Sequence, residues 1–362
     1  MREYNWVRFE FLAFFLFCLQ IDNLTDTILS ETGFIHKIGK GNSMQNVKSG
    51  HITKPYYDKN EEQELIDIIL QASKPLQQNL PGIQPNLQSM RSVKVFLFDL
   101  YGTLFISGSG DIGTASEETR IEKNMEKALK KAGISPVKPD TPQTASNLYV
   151  DAIRQVHTAK KGQDISFPEV DIFNIWHSVL SDLRKQNHIE VNPDHKLVSK
   201  LALWFEVINN PVWPMPHAGD ILSYLRDSGI KMGIISNAQF YTPLLFQAFL
   251  SHTYQELGFI DKYCFFSYHL GYAKPEKKMF KNAFSALQKD IPDLNANEIA
   301  YVGNDMLKDI YPAHECGFKT ILFAGDTRSL RLRENDNRCS SIVPNSIVTS
   351  LQEIKTLCTM ME

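Results

Sequence analysis

The most constraining feature of this sequence is a short apolar run over residues 93–104, VKVFLFDLYGTL, whose strand-like part ends at a carboxylate, Asp99. A continuous apolar run of strand length, bounded by turn residues, is typical of a strand buried in a parallel sheet. Ligands of open α/β sheets bind beyond the carboxyl ends of such strands. The run therefore predicts Asp99 at a cleft, as a nucleophile, a metal ligand or a general base. The alternative is that Asp99 merely caps a turn.

Composition limits the classes of function. The 362 residues suffice for one large or two modest domains. The formal net charge is −3, so nucleic acid is not an expected partner. The cysteines are odd in number, five in all, and form no CxxC pair. This pattern argues against a disulfide framework or a zinc site and favours a reducing compartment, so we expect a cytoplasmic protein.

The N-terminal part is predicted to lie outside the catalytic region. Residues 9–21 are apolar, but a membrane-spanning helix needs about 20 residues, and no small-residue cleavage site follows. We expect residues 1–43 to be a poorly ordered extension, with Met44 as the true start and no association with membranes. Residues 44–92 are predicted to hold an amphipathic helix over 60–73 and a proline-containing linker.

A block of helices follows the first strand. Apolar residues recur at helical spacing from residue 114 to about 210, with no strand-like run. The spacing predicts four helices, at about residues 114–132, 141–156, 172–179 and 196–207. A glycine- and serine-rich loop over 106–113 leads into the block, as a linker or as a flap that contacts phosphate. A proline cluster over 211–216 ends it. We therefore predict an all-helical domain over 106–213.

Beyond the proline cluster, strand-like runs alternate with helical ones. The strands are predicted at residues 231–235, 263–267, 299–302, 320–323 and, more weakly, 341–343. This alternation predicts a parallel sheet with helices on both faces. The fold class is therefore α/β, with residues 93–105 and 214–362 forming the sheet domain and the helical domain inserted between them.

Several strand ends supply polar side chains to one edge of this predicted sheet. The candidates are Asp99, Ser236 with Asn237, Lys274 at a helix start, and Asp305 with Asp309. Asp99 is predicted to attack the substrate and form a covalent aspartyl intermediate. Ser236 and Lys274 would stabilise the charge of the transferring group. Asp305 and Asp309 would hold Mg²⁺, which prefers oxygen ligands.

These motifs resemble those of the haloacid dehalogenase-like hydrolase superfamily over residues 93 to about 343. The four family motifs stand in order at Asp99 to Leu104, Ile234 to Asn237, Lys274 with Pro275, and Tyr301 to Asp305 with Asp309. The resemblance implies a Rossmann-like core, a helical cap over the site and Asp99 as the nucleophile. It further implies that Thr103 and Asn237 bind substrate and that the backbone carbonyl of Tyr101 is a metal ligand.

The sequence departs from the phosphatases of this superfamily at Tyr101, where they carry a second aspartate as general acid and base. The pattern D-x-Y-G-T-L resembles that of the 2-haloacid dehalogenases, which need no metal. Loss of a general acid or base costs about 10²–10⁴ in rate, and a tyrosine with a pKa near 10 is a poor base at neutral pH. Asp305 with Asp309 resembles the phosphatases instead, although Asn304 stands where their first acid is commonest.

The sequence favours a Mg²⁺-dependent phosphatase of a small phosphorylated metabolite, because Asp305 and Asp309 would repel each other without a cation. The predicted catalytic residues are Asp99, Tyr101, Ser236 and Lys274. The alternatives are a metal-independent 2-haloacid dehalogenase and a binding or regulatory protein with impaired catalysis. The substrate is expected to be a small anion, and a homodimer is left open. Three arginines, Arg328, Arg331 and Arg333, are expected in a solvated loop, with substrate binding as the alternative.

Overall fold

The computed structural model describes residues 57–108, 117–160 and 165–359. Its strands are β1 (Val95–Phe98), β2 (Phe105–Ser107), β3 (Val212–Pro214), β4 (Lys231–Ser236), β5 (Phe259–Phe266), β6 (Ile299–Gly303), β7 (Lys319–Phe323) and β8 (Ser346–Val348). Six of them form a parallel sheet in the order β5-β4-β1-β6-β7-β8. The α/β class predicted from the alternation and the Rossmann-like core implied by the resemblance are confirmed.

Strand β1 lies between β4 and β6, and its four residues are fully buried. Its last residue, Phe98, is level with Ile234 of β4 and with Val302 of β6. Because parallel strands end at the same edge, the residues that follow these three strands are brought side by side. This register creates the site described below.

The helices are α1 (Lys59–Ala72), α2 (Glu117–Ala132), α3 (Thr141–Lys160), α4 (Ile172–Lys185), α5 (His195–Asn209), α6 (Ala218–Asp227), α7 (Leu244–Leu250), α8 (Ser267–Leu270), α9 (Lys277–Asp290), α10 (Tyr311–Glu315) and α11 (Glu353–Thr359). Helices α2 to α5 form the predicted helical block. Trp176 of α4 is buried there between Tyr149 and Phe205, with ring centroids 4.7 and 5.0 Å away.

The proline cluster over 211–216 contains a strand that the sequence analysis missed. Strand β3 pairs antiparallel with β2, with Phe105 opposite Pro214 and Ser107 opposite Val212. A two-stranded ribbon has free edges, and there a proline loses no sheet hydrogen bond. The chain thus enters and leaves the helical block through this ribbon. Residues 109–116, which include most of the predicted glycine-rich loop, lie outside the described residues.

Helix α1 is part of the folded unit. It packs against α5 of the helical block and against α7 of the sheet domain, and its Glu62 accepts a hydrogen bond from Gln247 at 2.7 Å. The segment after α1 is extended, and Asn86 exchanges two backbone hydrogen bonds with Ile347 of β8. The prediction for residues 1–43 falls outside the described residues. In the described part of the chain, no helix is long and apolar enough to cross a membrane.

The predicted last strand over 341–343 is wrong. The tripeptide Ser-Ile-Val occurs at 341–343 and again at 346–348, and the second copy forms β8. Asn345, directly before the second copy, contacts β7, because its side-chain oxygen accepts a hydrogen bond of 2.9 Å from the backbone amide of Thr320 in that strand. The first copy is followed by Pro344, and its Val343 is 77% exposed.

Candidate active site

Asp99 lies at the end of β1, where its backbone amide still donates to Val302 at 2.9 Å. The chain then turns sharply through Gly102, whose φ of 82° is in the left-handed region. A Cβ at this position would lie 2.6 Å from the side chain of Ser329 and 2.7 Å from that of Asn304. Glycine is therefore required at this turn for both conformation and space, and the turn keeps Asp99 at the strand end.

Two donors hold the carboxylate of Asp99. Ser236, the last residue of β4, donates to its Oδ1 at 2.8 Å, and the ammonium of Lys274 lies 2.7 Å from the same oxygen. Asp99 and Lys274 are 7% and 4% exposed. The predicted catalytic residues Asp99, Ser236 and Lys274 are thus brought together in a buried cluster.

Lys274 joins two of the predicted acidic residues. Its ammonium contacts Asp309 Oδ1 at 2.5 Å as well as Asp99. Burial by itself lowers the pKa of Lys274, but the charges of Asp309 and Asp99 outweigh burial and raise that pKa above its ordinary value. Lys274 is therefore charged at neutral pH and neutralises part of the acidic cluster.

Asn237 and Thr103, the two predicted substrate-binding residues, hold other site residues in this structure. Asn237 accepts from the backbone amide of Lys274 at 2.7 Å and donates to its carbonyl at 3.3 Å. Thr103 donates to the side chain of Asn304 at 3.1 Å. Both contacts fix the positions of neighbouring motifs, and substrate binding by Asn237 and Thr103 stays a prediction.

Tyr101 occupies the position at which the phosphatases of this superfamily carry their second aspartate. Its hydroxyl is hydrogen-bonded to Thr242 Oγ1 at 3.0 Å. Burial, and then the charge of Glu206, raise the pKa of Tyr101 far above its ordinary value of 10.0. The hydroxyl thus keeps its proton at neutral pH, which makes Tyr101 a poor general base, and its role in catalysis stays a prediction.

Asp305 is held by an arginine. Arg333 Nε lies 3.1 Å from Asp305 Oδ1 and Nη2 lies 2.7 Å from Oδ2, which is a two-pronged pair. Burial raises the pKa of Asp305, but the hydrogen bond and charge of Arg333 outweigh burial and hold this pKa below its ordinary value. Asp305 also caps the following π-helical turn (Met306–Ile310) by accepting from the amides of Leu307 and Lys308.

The predicted magnesium ligands do not fit a magnesium ion in this arrangement. Asp309 accepts from Lys274 through Oδ1 and from the backbone amides of Asn304 and Asp305 through Oδ2. Asp99 faces Lys274, and Asp305 faces Arg333. Among residues 57–108, 117–160 and 165–359, no group of three or more acidic, histidine or cysteine side chains is placed to hold a metal ion.

The loop that carries Arg328, Arg331 and Arg333 differs from the expected solvated loop. Arg333 pairs with Asp305, and Arg328 forms a similar pair with the buried Asp326, with Nη2 to Oδ2 at 2.6 Å. The backbone of Arg331 accepts from Met306 at 2.8 Å and donates to Asn304 at 3.0 Å. No local sequence signal indicates these contacts, because each joins residues that are distant in the chain or depends on the loop conformation.

Glu206 of α5 is a further titratable residue near the site that the sequence analysis missed. It accepts from the hydroxyl of Tyr241 at 3.1 Å and from the amide of Asn210 at 3.0 Å. Burial raises its pKa above the ordinary value of 4.5, and the two hydrogen bonds oppose this shift. A signal was present, because Glu206 is the single charged residue in the apolar stretch over 201–208.

The comparisons with known proteins agree with the motifs. The family model described as haloacid dehalogenase-like hydrolase matches residues 93–317, while no curated protein sequence matches. Similar solved structures include a 2-haloacid dehalogenase from Pseudomonas syringae pv. Tomato DC3000, with 18% identity, a TM-score of 0.42 and coverage of 73% of this chain and 97% of that one. A predicted phosphoglycolate phosphatase from Haemophilus somnus 129PT has 17% identity, a TM-score of 0.40 and coverage of 74% and 99%.

Proposed function

Because the chain belongs to the haloacid dehalogenase-like hydrolase family, we propose that it is a hydrolase in which Asp99 is the nucleophile and that it displaces halide from a small 2-halogenated organic acid without metal. In the first step, a carboxylate oxygen of Asp99 attacks the carbon that bears the halogen. The carbon–halogen bond breaks, and the halide leaves with the electron pair. Water then attacks the carboxyl carbon of the ester, which releases the hydroxy acid and a proton and restores Asp99.

The observation that carries this proposal is the state of Tyr101. The position two residues after the nucleophile holds a partly buried hydroxyl that is hydrogen-bonded to Thr242, and a pKa raised far above 10.0 makes this hydroxyl a poor proton donor as well as a poor base at neutral pH. A phosphate monoester needs a proton for its leaving alkoxide, and loss of that acid costs about 10²–10⁴ in rate. A halide leaves unprotonated, so carbon–halogen chemistry does not need the missing acid.

The charge pairs favour the same proposal over the magnesium-dependent phosphatase that the sequence favoured. The sequence favoured magnesium because Asp305 and Asp309 require a cation. Lys274 lies 2.5 Å from Asp309, and Arg333 lies 2.7 Å from Asp305. The protein itself thus provides a cation for each of these acids, so that magnesium is not needed to balance their charges.

The remaining contacts at Asp99 suit nucleophilic displacement. Ser236 and Lys274 both bind Oδ1, which restrains the carboxylate at the strand end and leaves Oδ2 as the oxygen that we propose attacks. Asn237 in turn holds the backbone of Lys274 through two hydrogen bonds. Orientation of this kind lowers the barrier, because the reacting groups do not have to be brought into position from solution.

The test uses the purified full chain with 2-chloropropionate and, separately, with an aryl phosphate. We expect chloride release that EDTA does not change, and a loss of at least about 10³-fold in Asp99→Asn. A single turnover in H₂¹⁸O should place ¹⁸O in the peptide that contains Asp99, because water attacks the carboxyl carbon. Magnesium-dependent release of the aryl alcohol would show a phosphatase instead. No turnover of either substrate class would favour the binding or regulatory protein.

A further inference from the structure

The loop after β7 is docked on the site. We name residues 326–338 the arginine loop. The side chain of Asn304 donates to the carbonyl of Ser329 at 2.6 Å, and the backbone of Arg331 bonds both to Asn304 and to Met306. Ser329 also lies in the space next to Gly102, where a Cβ would meet it at 2.6 Å. The arginine loop therefore contacts the turn after Asp99 and the end of β6 at the same time.

Arg333 reaches Asp305 from this loop at a conformational cost. Its φ is 54°, which is in the left-handed region that residues with a Cβ rarely adopt. Its side chain is 19% exposed and that of Asp305 is 9% exposed. A residue is held in such a conformation when the surrounding contacts determine it, and such residues concentrate at functional sites.

The carboxylates of the site are matched by cations of the protein. Lys274 contacts Asp99 and Asp309, and Arg333 contacts Asp305. The residue directly after Gly303 is neutral, because it is Asn304, and its amide bonds to Thr103 and to Ser329. A divalent cation bound at Asp305 would have to displace a two-pronged guanidinium pair, which is among the stronger hydrogen-bonded pairs in proteins.

We propose that Arg333 is a built-in counter-charge for Asp305, which keeps Asp305 in place at the edge of the sheet and makes divalent metal unnecessary there. Arg333 acts through Asp305 and is therefore a positioning residue. The proposal rests on the proposed function only in that the Asp99 site is catalytic. Metal binding can be measured without any substrate, so failure of the dehalogenase assay and failure of this proposal are distinguishable.

The first experiment measures Mn²⁺ binding to the full chain by electron paramagnetic resonance. We expect no binding by the wild type at millimolar Mn²⁺. Arg333→Ala should bind Mn²⁺ through the unpaired Asp305, and Arg333→Ala with Asp305→Asn should lose this binding. Arg333→Lys keeps a positive charge and should bind no Mn²⁺, and it serves as the second variant if Arg333→Ala does not fold. Binding by the wild type that disappears in Asp305→Asn would overturn the proposal, as would the lack of binding by a folded Arg333→Ala.

The second experiment separates the charge of Arg333 from its structural contribution. The matched control is Arg338→Ala, because Arg338 forms the same two-pronged pair with Asp336 in the same loop, at 2.9 and 2.7 Å. We expect Arg333→Ala to lose about 10²-fold in halide release, while Arg338→Ala stays within about twofold. Added guanidinium should restore part of the activity of Arg333→Ala, whereas Mg²⁺ should not. Equal activities of the two variants, or rescue by Mg²⁺, would overturn the proposal.

Discussion

At the carboxyl edge of the sheet, buried acids face cations, whereas in the helical block Glu206 faces neutral donors. Asp305 is paired with a guanidinium, and its pKa is held below the ordinary value. Glu206 accepts from a tyrosine hydroxyl and an asparagine amide, and its pKa is raised by burial. Asp305 and Glu206 thus have opposite pKa shifts. Asp309 at the same sheet edge does not follow Asp305, because burial outweighs the charge of Lys274 and raises the pKa of Asp309 to about 6.

The difference teaches how a protein places charge where chemistry needs it. A cation in direct contact compensates the loss of solvation when a carboxylate is buried, while neutral hydrogen bonds compensate it only in part. The sheet edge thereby keeps Asp305 ionised at neutral pH. Burial without a contacting cation instead biases Glu206 towards its protonated form.

The largest effect is expected from removal of the cation at the sheet edge. Lys274→Met leaves Asp99 and Asp309 buried without their partner, which should cost about 3–5 kcal/mol of unfolding free energy, measured by urea denaturation at pH 7. Adding Asp309→Asn to this variant should restore part of the loss. The control is Lys277→Met. Lys277 lies 2.8 Å from Glu315, whose side chain is 40% exposed, so this substitution should lower the unfolding free energy by less than about 1 kcal/mol. Equal small losses for the two lysines would break the comparison.

A smaller effect is expected from the pH dependence of stability. The pKa of Glu206 is raised on folding, so its stabilising contribution is complete below its ordinary pKa of 4.5 and is lost as pH rises through the folded pKa. Glutamine does not titrate, so Glu206→Gln does not undergo this loss. The unfolding free energy of the variant minus that of the wild type should therefore rise by about 1 kcal/mol from pH 4 to pH 8. Urea denaturation at several pH values measures the difference.

Asp305 should show the opposite pH dependence. Its pKa is lowered on folding, so its contribution is present above the ordinary value of 3.8 and is lost as pH falls through the folded pKa. Relative to the wild type, Asp305→Asn should therefore be least stable near neutral pH and recover towards acid pH. Parallel profiles for Asp305→Asn and Glu206→Gln would contradict the distinction between the two regions.

The smallest effect is expected at Tyr101. Tyr101→Phe removes the hydrogen bond to Thr242, which should cost about 1 kcal/mol of stability. The rate of halide release should change by less than about threefold, because a hydroxyl that keeps its proton takes no part in proton transfer. Steady-state kinetics checks this expectation. A rate loss as large as that of Asp99→Asn would show that the Tyr101 hydroxyl takes part in the reaction.

The sequence alone determined β1 and β4 to β7 of the sheet and the order of the motifs along the chain. The run that forms β1 is entirely apolar, and such a run can be buried on both faces only in a parallel sheet covered by helices. Given that sheet, the residues after β1, β4 and β6 must meet at one edge. The proximity of Asp99, Ser236 and Asp309 therefore follows from local patterns and general rules of topology.

The tertiary structure alone decided how the charges at this edge are matched. Arg333 and Asp305 are 28 residues apart, and no periodicity relates them, because the pair depends on the path of the arginine loop over the sheet. Asn345, directly before the copy of Ser-Ile-Val that forms β8, likewise contacts a residue distant in the chain, Thr320. Hydrophobic periodicity is a local property of the chain, whereas charge pairing and strand register depend on which distant groups the fold brings within a few ångströms. For this reason the sequence predicted a magnesium centre around Asp99, whereas the structure places Lys274 and Arg333 beside the acids of that centre.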